Sequence, residues 1–168
     1  MSILKANRIE NLTTTDGGIN VNNAGNVGIG TASPHGNSGT NLHIHGSNTT
    51  AELRLTNTTT GTGANGTIIQ QGGNTLYISN SEAGTTAFEN NGSERMRIDS
   101  SGRLLVGTTT EGEATADNLT IADSGHCGIT LRSGTSSVGT VFFSDGTSGT
   151  DEYRGYVQYD HSGNYLKW

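Results

Sequence analysis

The sequence is short of nearly everything from which a conventional globular domain is built. It holds one cysteine, Cys127, in 168 residues, so no disulfide can close within the chain and staple a thin core. It holds one proline and one tryptophan, and its aromatic share is 5%. Nowhere do 18 apolar residues run together, and no basic segment leads into a hydrophobic stretch. Neither a membrane-inserting segment nor export by the general secretory route is therefore expected. Charge is sparse as well. The 15 acidic and 9 basic side chains leave a net −6 with no Lys/Arg cluster, which repels a phosphate backbone and excludes nucleic acid as the expected partner.

What is present is polar and small. Gly (26), Thr (26), Asn (17) and Ser (16) make up 85 of the 168 residues. Gly loses most entropy in a helix, while Asn and Ser compete for its backbone groups, so long helices are disfavoured. Thr suits strands, and Gly, Asn and Ser suit tight turns. The expected class is all-β, built of short strands and hairpins. Leu, Ile, Val and Phe supply only 31 residues, below the ~20% at which disorder becomes a competing reading. At ~25 cal/mol per Å² of apolar burial, so lean a core hardly offsets ~1 to 2 kcal/mol of backbone entropy per residue. Burial between chains is the simplest remedy.

Internal repetition organises the chain. INVNNAGNVGIGT (Ile19 to Thr31) lies over MRIDSSGRLLVGT (Met96 to Thr108) at an offset of 77, matching Val21 with Ile98, Gly25 with Gly102, Val27 with Leu104 and Ile29 with Val106. The same offset sets Leu42 and Ile44 over Leu119 and Ile121. With small shifts, Glu52 to Leu55 falls on Gly128 to Leu131, and Gly66 to Ile69 on Gly139 to Phe142. Each unit reads as a hairpin, a spacer and a group of strands, with Gly25 and Gly102 supplying the positive φ of a hairpin turn. Further strands are expected around Leu53/Leu55, Ile69, Leu76/Ile78 and Phe88, and in the second unit around Ile129/Leu131, Val141/Phe143, Tyr156/Gln158 and Leu166/Trp168. Alternation along them predicts one buried face per strand. A period near 77 is too long for one coil of a β-helix or a leucine-rich unit, so tandem small β-domains are expected. The division is 1–18 arm, 19–40 hairpin linker, 41–90 first β-domain, 91–112 hairpin linker and 113–168 second β-domain, the last expected to be cut short.

The stretch NGSERMRIDSSGRLLVGTTT (Asn91 to Thr110) closely resembles the linker hairpin of bacteriophage tail fibres and related virion fibres, and Asn26-Val27-Gly28-Ile29-Gly30-Thr31 resembles its shorter variant. Gly128 to Trp168 is similar to the small β-domain that precedes such hairpins, and Ser2 to Asn11 to the virion-proximal start of several fibres. The resemblance implies an intertwined homotrimer of β-prism repeats located in the virion, on a tail or another appendage. It implies docking to other phage tail or virion proteins through an N-terminal arm carrying Ile3, Leu4, Ile9 and Leu12. Support of host adsorption follows, with a surface glycan or protein as receptor. The trimer core is expected to take Val21, Val27, Ile29, Leu42, Ile44, Met96, Ile98, Leu104, Val106, Leu119 and Ile121. Many such proteins end in a self-cleaving chaperone domain; none is recognisable here, so no self-cleavage is assigned to these residues.

Motifs with chemistry in them are weak. His43-Ile44-His45 puts two imidazoles on one strand face, which threefold symmetry could gather around a metal; alternation with Leu42 and Ile44 instead turns them away from the apolar side. The Asp145-to-Glu152 loop offers carboxylates without EF-hand spacing. Asp160-His161-Ser162 has the residue types of a hydrolase triad, but adjacency in sequence does not order them in space. Gly28-Ile29-Gly30 lacks the third glycine and the helix of a phosphate loop. Tyr153, Tyr156, Tyr159, Tyr165 and Trp168 suit packing better than sugar stacking. No enzyme and no cofactor are expected. The rival readings are a polysaccharide-degrading tailspike, which needs two acids flanking a cleft, a head fibre or virion decoration, and a Thr-rich adhesin, whose Thr runs would need a constant short period that Thr13–Thr15, Thr58–Thr60 and Thr108–Thr110 do not keep.

Overall fold

The computed structural model describes residues 8–10, 18–35, 39–46, 48–61 and 65–168. Ile3, Leu4 and Leu12 of the expected docking arm lie outside them, and of Ile9 only the backbone is described. The protein is all-β: among the described residues the one helical element is a 3-10 turn, Gly149–Tyr153. The chain divides into two compact units, 1–120 and 121–168.

The first unit opens with a four-stranded sheet of β1 (Arg8–Glu10), β2 (Gly18–Val21), β3 (Val27–Ile29) and β4 (Leu42–Ile44), in that spatial order. The strand at 8–10 lies within the segment expected as an arm over 1–18: Ile9 stands opposite Ile19 at the edge of this sheet. A meander follows, β5 (Thr50–Leu55), β6 (Thr67–Gly72) and β7 (Thr75–Asn80). The next sheet contains β8 (Thr86–Asn90), β9 (Ser93–Ile98), β10 (Leu104–Val106) and β11 (Leu119–Ile121), with a bulge at Phe88/Glu89. β11 reaches the boundary of the second unit, which consists of β12 (Val138–Phe143), β13 (Gly155–Asp160) and β14 (Tyr165–Lys167), again a meander. Ile129 and Leu131, expected in a strand, form none: the segment has the alternation of β5 but pairs with no edge among the described residues.

The two hairpins share one geometry. Val21 pairs with Val27 and Ile19 with Ile29; 77 residues on, Ile98 pairs with Leu104 and Met96 with Val106. Both turns close with the same bonds, Asn22 N–H to Asn26 O at 3.0 Å and Asp99 N–H to Arg103 O at 3.1 Å. Gly25 and Gly102 both sit at φ +83°, and Gly30 and Gly107 both at φ +73°. The next strand joins alike, through Val27 N–H to Asn41 O and Leu104 N–H to Asn118 O, each 2.8 Å.

Gly30 has a further reason to be glycine, because a Cβ there would run into the His45 carbonyl where β3 and β4 lie side by side in parallel. Gly30→Ala is therefore expected to cost ~1 to 2 kcal/mol from the left-handed backbone alone, with the clash added. Thermal melting checks this: the midpoint should fall by at least ~4 °C, and an unchanged midpoint would mean that β4 does not pack as described.

Burial is the unusual feature. Among the described residues the only buried large apolar side chains are Leu105, at 0% exposure, and Ile68, at 8%. One buried face per strand was expected; within a single chain those faces are open.

Candidate assembly interface

The residues expected at an inter-chain core fall on common faces. In the first sheet, cross-strand registers line up Ile19 with Ile29 and Ile44, and Val21 with Val27 and Leu42. In the third, Phe88, Met96 and Val106 make one row and Thr86, Ile98 and Leu104 the next. Leu119 and Ile121 stand on the neighbouring strand. Val21, Ile29, Leu42, Ile98 and Leu119 are exposed, Leu42 at 59%, and Val27, Ile44, Met96, Leu104, Val106 and Ile121 are half-buried. The meander of β5 to β7 presents Leu53, Ile69 and Ile78 in one exposed row. Sheets need their apolar face covered, and contiguous exposed apolar patches mark interaction surfaces.

The opposite faces are closed by the chain's own loops, with different side chains doing the same job. In the first hairpin Asn20 is buried and donates through Nδ2 to Thr31 O at 2.8 Å. Its partner Gly28 has no room for a Cβ, which would lie 2.8 Å from Thr31 O and 3.1 Å from Pro34 Cβ. In the second hairpin the equivalent positions are Arg97 and Leu105. Arg97 makes a bidentate pair with Glu94, 2.5 and 2.7 Å, and Leu105 itself fills the space. A loop folded over a glycine and a leucine that needs no such cover are alternative fillings of one cavity.

The turns show a parallel substitution. Asn22 Oδ1 accepts from the backbone N–H groups of Ala24 and Asn26, each at 3.0 Å. Asp99 Oδ1 does the same for Ser101 and Arg103, at 2.9 and 3.0 Å. Asp99 adds charge: Arg103 donates to Asp99 Oδ2 through Nε at 2.8 Å and to Asp117 through Nη1 at 2.9 Å. Bonding by the Arg103 backbone N–H, then by its guanidinium, holds the Asp99 carboxyl below its usual range. A depressed carboxyl stabilises the fold above the unfolded-chain pKa of about 3.9, and that stability is lost as pH falls through the folded value. The expected result is a melting temperature that drops as the pH falls below about 4. Asp99→Asn, which retains the turn bonds that Asn22 makes, should flatten that drop; a slope unchanged by the substitution would assign it to other carboxylates.

His43 has a structural duty. Its Nδ1 accepts from the His35 backbone N–H at 3.2 Å, and 77 residues later Thr120 Oγ1 accepts from Gly112 N–H at 2.9 Å. A threonine hydroxyl replaces the imidazole in tethering the loop that follows the hairpin. His45 approaches His43 edge-on, rings 6.1 Å apart. Both lie across the strand from Leu42 and Ile44, so the His43/His45 pair points away from the apolar face and not toward a metal on an axis through it. No cluster of three or more His, Cys, Asp or Glu that could hold a metal occurs among the described residues.

The remaining motifs resolve into local structure. Arg154 binds both Asp151, at 2.5 Å, and Asp145, at 3.4 Å, which ties the acidic loop around the 3-10 turn together and offsets part of its charge. Asp160 Oδ1 accepts from Ser162 Oγ at 2.7 Å and from the N–H groups of Ser162 and Gly163. The His161 ring instead packs edge-on against Tyr159 at 4.9 Å, so the order serine–histidine–carboxylate that a triad requires is not made. Phe142 contacts Tyr153 and Tyr156, ring centroids 6.3 and 6.4 Å away. Sequence reasoning missed Leu105, Arg97 and the Arg103 bridge; the one signal for the first was the Gly28/Leu105 mismatch inside an otherwise matched pair of hairpins. Compared with known proteins, the sequence matches no family model and no curated protein.

Proposed function

We propose that this chain is a structural subunit of a bacteriophage virion fibre, assembled as a homotrimer, whose N-terminal residues dock to another virion protein and whose β-domains form the shaft that supports host adsorption. The observation that carries the reading is the rows of apolar residues left open on the first three sheets, while only two large apolar side chains are buried among the described residues. Three copies around an axis would cover those faces with their counterparts, and a closed point group leaves no face to propagate. The shared geometry of the two hairpins supports a modular shaft, because equal joints let small β-domains follow one another. The likeness of Asn91 to Thr110 to the fibre linker hairpin supports the same assignment. The role is mechanical: three parallel chains present three copies of any distal binding element, so that weak contacts gain by avidity. Native mass spectrometry tests the stoichiometry. The expected species weighs three times 17.4 kDa; a folded monomer or a dimer would refute it.

A further inference from the structure

The second unit contains a segment with a strand's alternation but no sheet, and a sheet edge without a strand. Gly128–Leu131 joins no ladder and exposes Ile129 at 68% and Leu131 at 52%. β12 is the outer strand of its meander. The N–H of His161 donates to Ser137 O at 3.1 Å, which makes 137 and 161 a hydrogen-bonded pair. By alternation Gly139, Val141 and Phe143 bond toward β13, while the backbone groups of Val138, Thr140 and Phe142 point out from the free edge. Such an edge is a template for another strand.

The first unit shows the strand that fits. Glu52–Leu55, which corresponds in sequence to Gly128–Leu131, is part of β5 and pairs with β6, which corresponds through Gly66–Ile69 to Gly139–Phe142. There Gly73 N–H donates to Thr49 O at 2.8 Å, so Leu53/Ile69 and Leu55/Thr67 are the hydrogen-bonded pairs. Carried over, these become Ile129/Phe142 and Leu131/Thr140. They call on the same edge residues, Thr140 and Phe142, that the His161 bond independently leaves free. A one-residue slip would have failed this parity test.

The chain's own segment is misplaced for that edge. A Cβ on Gly139 would lie 3.7 Å from Leu131 O, 3.7 Å from Ser133 Oγ and 3.9 Å from Leu131 Cβ. Since a Cβ stands off the face of a sheet, the chain crosses over the face of its own meander at Gly139 and does not lie in its plane. Beside the crossing, Ser133 Oγ is buried with no hydrogen-bond partner, the sole such side-chain atom among the described residues.

We infer that Gly128–Leu131 completes the meander of a second copy, adding antiparallel to its β12 edge as a fourth strand, so that neighbouring subunits exchange strands. The inference rests on the proposed homotrimer and specifies how its copies interlock. Burial of Ile129 beside Phe142 and of Leu131 beside Thr140 goes with the exchange.

The test is a cross-strand disulfide at the non-hydrogen-bonded pair between those two, Thr130→Cys with Val141→Cys, in a Cys127→Ser background. Native mass is measured first. A species other than a trimer refutes the proposed assembly. With a trimer in hand, mild oxidation is expected to yield covalent dimers and trimers on non-reducing gels. A bond within one chain, or no bond, overturns strand exchange while leaving the trimer standing. Should the triple substitution perturb folding, hydrogen exchange on the unaltered assembly gives a second readout. The Thr140 and Phe142 amides should exchange about tenfold or more slowly than in a Gly128-to-Leu131 deletion; equal rates overturn the inference.

Discussion

Val106→Asp is expected to reduce the proposed trimer to separate, largely unfolded chains, visible as a fall from three-chain to one-chain mass by light scattering. Val106 stands in the row with Phe88 and Met96 on the open face of the third sheet. Association would bring three new carboxylates out of water at once with no cation opposite them. Each costs several kcal/mol, so the total is on the order of 10 kcal/mol, or about seven powers of ten in the association constant at ~1.4 kcal/mol each. His43→Thr is the matched control: it retains the acceptor role that Thr120 fills in the second hairpin and should leave the mass unchanged. A stable assembly with Asp at 106 would remove that face from the interface.

Leu105→Ala carries the next largest expectation. Leu105 lies between the two open-face residues Leu104 and Val106 but on the other side, and it is wholly buried. Deleting its branched end leaves a cavity, and such changes cost ~2 to 5 kcal/mol depending on how far the site collapses. Few other contacts can absorb the loss, since Ile68 is the only other buried large apolar side chain among the described residues. The midpoint of urea denaturation should fall accordingly with the slope unchanged. A cost below ~1 kcal/mol would mean that the site collapses around Ala, and the first hairpin argues against this: there the space is filled because Thr31 and Pro34 fold down over Gly28.

These two residues mark the limit of what could be read from the sequence. The hairpins were legible because their signals are local: alternation in period two, a glycine where φ must be positive, and a second copy in which both recur. Leu104-Leu105-Val106 offered three apolar residues in a row, and alternation assigned the outer two to a buried face. Leu105, left for the polar side, is wholly buried and fills the space that a loop fills over Gly28 in the first hairpin, a difference no periodicity encodes. Arg103 and Asp117 are 14 residues apart in a turn and a spacer, and nothing in either segment announces the other. At 8–10 the three strand residues carry too little pattern in their polar surroundings to announce a strand. Gly128–Leu131 differs again: its alternation matches that of β5, but a strand exists only where an edge receives it, which is a property of the partner and not of the segment.

Spatial neighbours in every sheet are also consecutive along the chain. Consecutive strands find their partners without distant searching, the circumstance in which pairing is quick. Bonding within each chain's own sheets therefore precedes any meeting of the greasy sides, and in the proposed trimer the slow step is an encounter between molecules whose rate rises with concentration. Dilution during refolding should stall the protein as sticky, half-finished sheets prone to clumping, whereas nascent chains crowded on one messenger would find one another at once.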